Sequence, residues 1–386
     1  MESTPYSVII PTYNRARMVV RAIRSVLPAV LPMDEIIVVD DGSTDGTRDA
    51  LREFGSRIRY VQGEHKGGGA ARNLGIRESR HSMVAFLDSD DEWQPDKLYL
   101  QRAVMARQRD LVFCFSDFSA RSAGRPDRPH SSIDWHHDHR LWTEILGPAT
   151  SFSTIAPLPK GRADFQVYTG SLYEVEMQEN YVGTSTLVVN RDLAGDALHF
   201  VEGVPIYEDW ECFGLMARKG PCAYLECDTS AQWGHAGERL SSACAFDVAQ
   251  SRLRVLKNVW GADAQFMARH GIAVEKIKAE QHAIRARHLL RQGRTREARA
   301  ELAQVSCPLF AYRTLACMPG VICRGIFGAF KLVSGLSGRN QSILHPPPDD
   351  EVGSGNRSAF HGKRQTGCPH RNEVGPDMNS AARPAR

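Results

Sequence analysis

The chain has 386 residues, of which 42% are apolar and 24% charged, with a formal net charge of +3. That length holds one large domain with an appendage, or two domains. The small charge gives no basis for bulk nucleic-acid binding, and the composition is that of a soluble globular protein rather than a disordered or fibrous one.

Nine cysteines are scattered without a CxxC pair, and Cys222 and Cys227 have no matching second pair. A zinc site is therefore not expected, and reduced thiols in a cytoplasmic setting fit best. The start, Met1-Glu2-Ser3-Thr4-Pro5, lacks the basic-then-apolar order of a signal peptide. No uninterrupted apolar run approaches the roughly 20 residues that span a bilayer.

Ser7 to Ile10 reads as a buried strand closed by Pro11. Asn14 is placed to cap a helix whose Met18, Val19, Ala22, Ile23, Val26 and Leu27 form one apolar stripe. Glu35 to Val39 is a second strand that ends in Asp40-Asp41-Gly42-Ser43, followed by a helix over 45–54. A third strand at 58–61 precedes a helix over 68–78.

A fourth strand, Met83 to Leu87, runs into Asp88-Ser89-Asp90-Asp91, and a helix over 95–107 leads to a fifth strand at 110–115. Alternation of strand and helix predicts a parallel α/β sheet covered on both faces. In such sheets ligands bind outside the carboxyl ends of the strands. That is where Pro11-Thr12-Tyr13-Asn14, Asp40-Asp41 and Asp88 to Asp91 fall. Three aspartates within four residues suit a hard cation shared with phosphate oxygens, although Asp91 as a mere helix cap is the plainer reading of that stretch taken alone.

From 116 to 181 the pattern dissolves into a polar excursion that includes the cluster His136-His137-Asp138-His139. Crowded loop histidines without ligand spacing are mostly incidental. Regular structure returns at 186–189, at Tyr207-Glu208-Asp209-Trp210-Glu211 with a helix through Met216, and at a closing strand, 223–225. Residues 247–304 are strongly helical, a hairpin that resembles a single tetratricopeptide unit but reads more simply as packing on the body. Residues 309–336 are apolar with Arg324 and Lys331 on one face. Two readings stand there: a peripheral contact with an anionic membrane, or a helix packed on the body. The Pro-, Gly- and Arg-rich remainder, 337–386, reads as disordered.

Taken together, Val8-Ile9-Ile10-Pro11-Thr12-Tyr13-Asn14-Arg15, Val38 to Asp45, Ala70-Ala71-Arg72-Asn73-Leu74-Gly75 and the Asp88 stretch resemble the ordered motifs of glycosyltransferase family 2. The resemblance covers about residues 6–115, with a later match at Tyr207 to Glu211. It implies a GT-A-type fold, Rossmann-like with a mostly parallel sheet flanked by helices: a glycosyltransferase domain over 1–240 (nucleotide part about 6–115, acceptor part about 116–240), a helical extension over 241–336 and the tail.

The resemblance further implies that Pro11, Thr12 and Asn14 lie near the nucleotide and that Asp41 accepts from the base, which suits a UDP donor. Arg72 would face the diphosphate or its carboxylates, Asp88 the ribose, and Asp90 would ligate Mn²⁺ or Mg²⁺. In the Glu208-Asp209 pair, Asp209 would be the general base of an inverting, non-processive transfer, and His235 would lie near the diphosphate as a second metal ligand beside Asp90. The partners implied are a nucleotide-sugar donor and a glycan, lipid-linked or cell-surface polysaccharide acceptor, met on the cytoplasmic side. No Gln-x-x-Arg-Trp pattern follows Asp209, against a processive synthase.

A dinucleotide oxidoreductase fails on Gly67-x-Gly69, since Arg72 replaces the third glycine and the stretch follows the third strand. A nucleotidyltransferase would want a Gly-rich basic loop after the first strand. The remaining alternative is a catalytically silent sugar-nucleotide-binding or scaffold module.

Overall fold

The computed structural model describes residues 4–326 apart from 123, 125, 133–135, 137–139, 205, 235–243, 306–309 and 324. Its first half is built by the repeat β1 (Tyr6–Thr12), α1 (Ala16–Val26), β2 (Glu35–Asp40), α2 (Thr47–Leu51), β3 (Arg59–Gln62), α3 (Gly68–Glu78), β4 (Met83–Phe86). A short β5 (Glu92–Trp93), α4 (Lys97–Arg107) and the long β6 (Phe113–Ser122) follow. The excursion contributes α5 (Trp142–Ile145), β7 (Ala149–Ser151) and β8 (Gln166–Gly170). Then come β9 (Val188–Asn190), α6 (Arg191–Ala194), α7 (Glu208–Lys219) and β10 (Cys222–Gly234). The helices α8 (Ala245–Asn258), α9 (Ala264–Arg291), α10 (Thr295–Ala303) and α11 (Phe310–Ala316) complete the described chain.

One sheet has the order β3-β2-β1-β4-β9-β6-β10-β8-β7, with β5 paired to β10. The expected parallel pairing holds for β3-β2-β1-β4 and again for β6-β10. Between them β9 runs antiparallel to both neighbours, and β8 and β7 add antiparallel edges. The sheet is thus mixed, and parallel throughout its β3-β2-β1-β4 half.

Side chains of the central strands alternate between two buried layers, which is why their sequences read as unbroken apolar runs. Val8, Ile10, Ile36 and Val38 join α1 and α4 on one face. Ile9, Ile37, Val39 and Phe86 meet Ala71 of α3 and Phe213 and Met216 of α7 on the other. Gly75 allows α3 to press on β1, for a Cβ there would lie 2.4 Å from Ile9 Cγ2.

Several local expectations are corrected. The helix expected over 45–54 is regular only through Leu51 and tightens to 3₁₀ over Arg52–Arg57. Asn14 does not cap α1: Arg15 holds that position, and Asn14 is in the left-handed region with φ 50°. The fifth strand starts three residues later than expected, at Phe113, and continues to Ser122, because β10 pairs with it throughout.

The carboxyl-terminal helices pack on the body, with Trp210 of α7 in one apolar cluster with Val255, Leu256, Trp260 and Phe266. A further cluster joins Leu289 and Leu290 of α9, Leu302 of α10, Ala316 and Cys323. Of the segment expected at 309–336, the described part therefore contacts the helical hairpin. Arg324 and everything after 326, including Lys331 and the tail, lie outside the described residues. No described helix is long and apolar enough to cross a membrane.

Candidate active site at the carboxyl edge of the sheet

The chain leaves β1 toward β2 and β3, then returns to the other side of β1 as β4. This change of direction opens a crevice outside the carboxyl ends of β1 and β4, the usual ligand position in such sheets. Thr12 ends β1 there, and its buried hydroxyl has no hydrogen-bond partner among the described residues. The Asn14 side-chain oxygen accepts the Thr44 N–H at 2.7 Å and the Asp45 N–H at 3.3 Å, so Asn14 joins the loops after β1 and β2. Exposed Tyr13 stacks on His65 with ring centroids 4.3 Å apart.

Asp41 is buried, and its two oxygens accept the N–H of Lys66 (3.0 Å) and Gly67 (2.7 Å). Its carboxylate therefore shapes the loop that enters α3, where Gly67 sits at φ 91°. A carboxylate offers about four acceptor sites, so two remain for a ligand. Asp40, beside it, accepts from Ser43 N (2.9 Å) and the Tyr60 hydroxyl (2.9 Å).

Arg72, on α3, is buried between two carboxylates: Nη2 lies 2.6 Å from Asp88 Oδ1 and Nη1 lies 3.1 Å from Glu208 Oε1. Burial alone would depress its pKa, but the Asp88 and Glu208 charges outweigh it and the net direction is up. This bridge connects the β4 end to the start of α7, residues 136 apart in sequence between Arg72 and Glu208. A fork-shaped guanidinium suits such a double contact, which an ammonium cannot copy.

Ser185 organises the aspartates. Its hydroxyl donates to Asp91 Oδ2 at 2.6 Å and accepts the Asp88 N–H at 3.1 Å. Asp91 is buried and uncapping; burial first, then the Asp90 and Asp88 charges, raises its pKa well above the carboxylate range. Asp90 pairs with Arg15 Nη1 at 3.0 Å, and its carbonyl accepts from Arg21 at 2.6 Å.

At the first turn of α7, Tyr207 adopts φ 61° and delivers Glu208 and Asp209 toward the crevice. Arg254 of α8 braces this turn by donating to the carbonyl of Tyr207 at 2.9 Å and pairing with Glu211 at 3.0 Å. Asp209 accepts from Trp210 N at 2.7 Å and from the Thr184 hydroxyl at 3.5 Å. Desolvation, then the neighbouring Glu208 charge, pushes its pKa up to about 7 against the pull of Arg72. Its side chain nevertheless keeps part of its surface to water. Buried Glu176 is raised too, chiefly by burial.

Of the residues singled out in the sequence, Asp88, Arg72 and Glu208 are in direct contact, and Asp209 follows Glu208 on α7. Thr12, Asn14 and Asp41 form the neighbouring loop wall, and Asp90 lies two residues from Asp88. Pro11, on β1, is buried beneath them. His235 lies outside the described residues, as do His137, Asp138 and His139. His136 is buried, its ring 4.6 Å from that of Tyr181. Sequence reasoning missed Thr184 and Ser185; the one signal was a Gly-Thr-Ser-Thr run just ahead of a short apolar strand.

Residues 7–177 match the family described as Glycosyl transferase family 2. A putative teichuronic acid biosynthesis glycosyltransferase, TuaG, of Bacillus subtilis is 43% identical over 151 residues, covering 37% of this chain and 60% of that protein. A UDP-Glc:alpha-D-GlcNAc-diphosphoundecaprenol beta-1,3-glucosyltransferase, WfgD, of Escherichia coli is 35% identical over 120 residues, covering 31% and 47%. An uncharacterized glycosyltransferase of Rickettsia conorii matches over only 20% of its own length, so the chain spans a fifth to three-fifths of these curated relatives. The crystal structure of S. aureus TarS 1–349 with UDP-GlcNAc superposes with a TM-score of 0.51 at 17% identity, covering 81% of this chain and 90% of that one. That likeness is one of fold, and the fold is GT-A.

Proposed function

We propose that this chain, which carries a family 2 glycosyltransferase domain, moves a sugar from a UDP-sugar to a hydroxyl of a glycan, with inversion and with help from a divalent cation. The observation that carries the reading is Asp209. Its carboxyl is pushed up to about 7 at the mouth of the crevice that holds Asp88 and Arg72. A general base works best when its pKa lies near the operating pH.

In the proposed reaction Asp209 takes the acceptor hydroxyl proton as that oxygen attacks the anomeric carbon. The bond from that carbon to the diphosphate oxygen breaks, and the nucleoside diphosphate leaves with the electron pair. One base without a second, nucleophilic carboxylate gives a single displacement. Glu208 and Arg72 keep the turn of α7 in register with Asp88, and Arg15 and Arg21 supply positive charge beside Asp90.

The residues suit a hard cation: Asp88 and Asp90 offer oxygen donors, and phosphate oxygens complete such shells. The upward shift of Asp91 comes first from burial and only then from the like charges of Asp90 and Asp88, and a cation would offset the latter part. When bound, a divalent ion neutralises charge on the leaving diphosphate. The names of WfgD and of the TarS complex support a UDP donor. Those of WfgD and TuaG support a lipid-linked or cell-surface acceptor, and the reading has the chain meet it at the cytoplasmic membrane face.

The test is NMR of the purified chain with a panel of UDP-sugars, Mn²⁺, and lipid-linked and free saccharide acceptors. Release of UDP with a sugar product of inverted anomeric configuration supports the reading. Turnover with retention, or none with any UDP-sugar, refutes it.

A further inference from the structure

The excursion between β6 and β9 lines, together with β10, an open cavity of about 1120 Å³. Trp142, Tyr168 and Tyr224 give it aromatic walls, while Asp117, His130 and Asp228 gather on one side. Trp142 is partly exposed and stacks on Tyr224, with ring centroids 3.9 Å apart.

The polar side is pre-built. Buried Asp117 accepts from Phe118 N (2.7 Å), Ser132 N (3.1 Å), His130 Nδ1 (3.2 Å) and the Tyr224 hydroxyl (3.4 Å). The His130 backbone, at φ 50°, donates to Asp228 Oδ1 at 3.0 Å. With Nδ1 engaged at Asp117, Nε2 is the ring nitrogen of His130 left for a ligand hydroxyl. The same three residues bring one ligand atom each within 4.8 Å. A cation there would have to displace hydrogen bonds that Asp117 already accepts, whereas a hydroxyl-rich ligand would leave them intact.

The cavity also lies close to the base. Tyr181 lines it, and three residues on, Thr184 meets Asp209. Three residues of extended chain reach about 10 Å. Aromatic faces beside fixed polar groups suit a sugar, whose C–H faces stack and whose hydroxyls both donate and accept. The volume exceeds the roughly 300–1,000 Å³ of ordinary small-molecule pockets, so it admits more than one ring.

We propose that this cavity holds the glycan part of the acceptor, at least a disaccharide behind the reacting hydroxyl, through Trp142 and the Asp117–His130 pair without a cation. The inference rests on the transfer reading above for its place in the reaction.

The test is saturation-transfer NMR of the full chain with millimolar cellobiose, maltose and N,N′-diacetylchitobiose in EDTA, on wild type, Trp142→Ala and His130→Ala. Binding of at least one disaccharide, weakened about fivefold or more in both variants, with UDP affinity unchanged, is expected. UDP binding serves as the folding control, and half-exposed His130 carries the test where Trp142→Ala fails it. No disaccharide bound, binding equal in wild type and variants, or binding that needs an added cation overturns the proposal. Disaccharide binding without UDP binding would sink the transfer reading but leave a saccharide site. UDP binding without disaccharide binding would do the reverse.

Discussion

Asp209→Asn separates what the folded chain gains from what the reaction needs. A carboxyl raised from 3.8 to about 7 holds its proton more tightly folded than unfolded. Wild-type stability is then full below about pH 4, falls as pH rises toward 7, and stays reduced above that. The interval is worth about 4 kcal/mol at most. Contact of the side chain with water relaxes part of it, so we expect a gain of about 1–3 kcal/mol for the variant at pH 8. Asparagine retains the acceptor for Trp210 N and cannot ionise, so at pH 4 the two proteins should unfold alike. The assay is the urea midpoint of both proteins at pH 4 and pH 8. Transfer should fall about 10²–10⁴-fold in the variant, and wild-type rate should rise with pH through about 7. A variant less stable than wild type at pH 8, or a gap equal at both pH values, would refute the reasoning.

Arg72→Met strands Asp88 and Glu208 without their shared partner; urea unfolding at pH 8 should show a loss of about 3–5 kcal/mol, shrinking at pH 4 as carboxylates take protons. Lys97 is buried, with Nζ 2.8 Å from the Thr186 carbonyl, and desolvation lowers its pKa to about 7. The unfolded chain then binds the extra proton between about 7 and 10.4, so wild-type stability should rise across that range. Lys97→Met should flatten that part of the stability–pH curve measured by thermal unfolding. Gly75→Ala, which forces a methyl against Ile9, should cost about 1–3 kcal/mol in the same unfolding assay and leave UDP affinity unaltered.

The first half of the sheet was legible because each of its signals is local. Ser7 to Ile10 and Glu35 to Val39 are short apolar runs that end in polar turns, and burial on both faces makes them so. Asp88, Arg72 and Glu208 were singled out through ordered motifs, yet the contact from Arg72 to Glu208 spans 136 residues and no local pattern encodes it. The antiparallel β9 was unreadable as such: Val188 and Val189 are apolar whichever way the strand runs. Asn14 was misread because a left-handed asparagine and a helix cap use the same side-chain chemistry. The excursion resisted reading because its order comes from long-range pairs. Asp117 with His130 and Asp96 with Arg162 replace periodicity there.

The central claim is that the crevice at β1 and β4 holds a nucleoside diphosphate with a divalent cation. Calorimetric titration of UDP into the wild type, Asp88→Asn and Asp90→Asn, each with Mn²⁺ and with EDTA, tests it directly. We predict Mn²⁺-dependent binding in the wild type, lost in both variants. UDP binding that ignores the cation and both substitutions, or no binding at all, would contradict it.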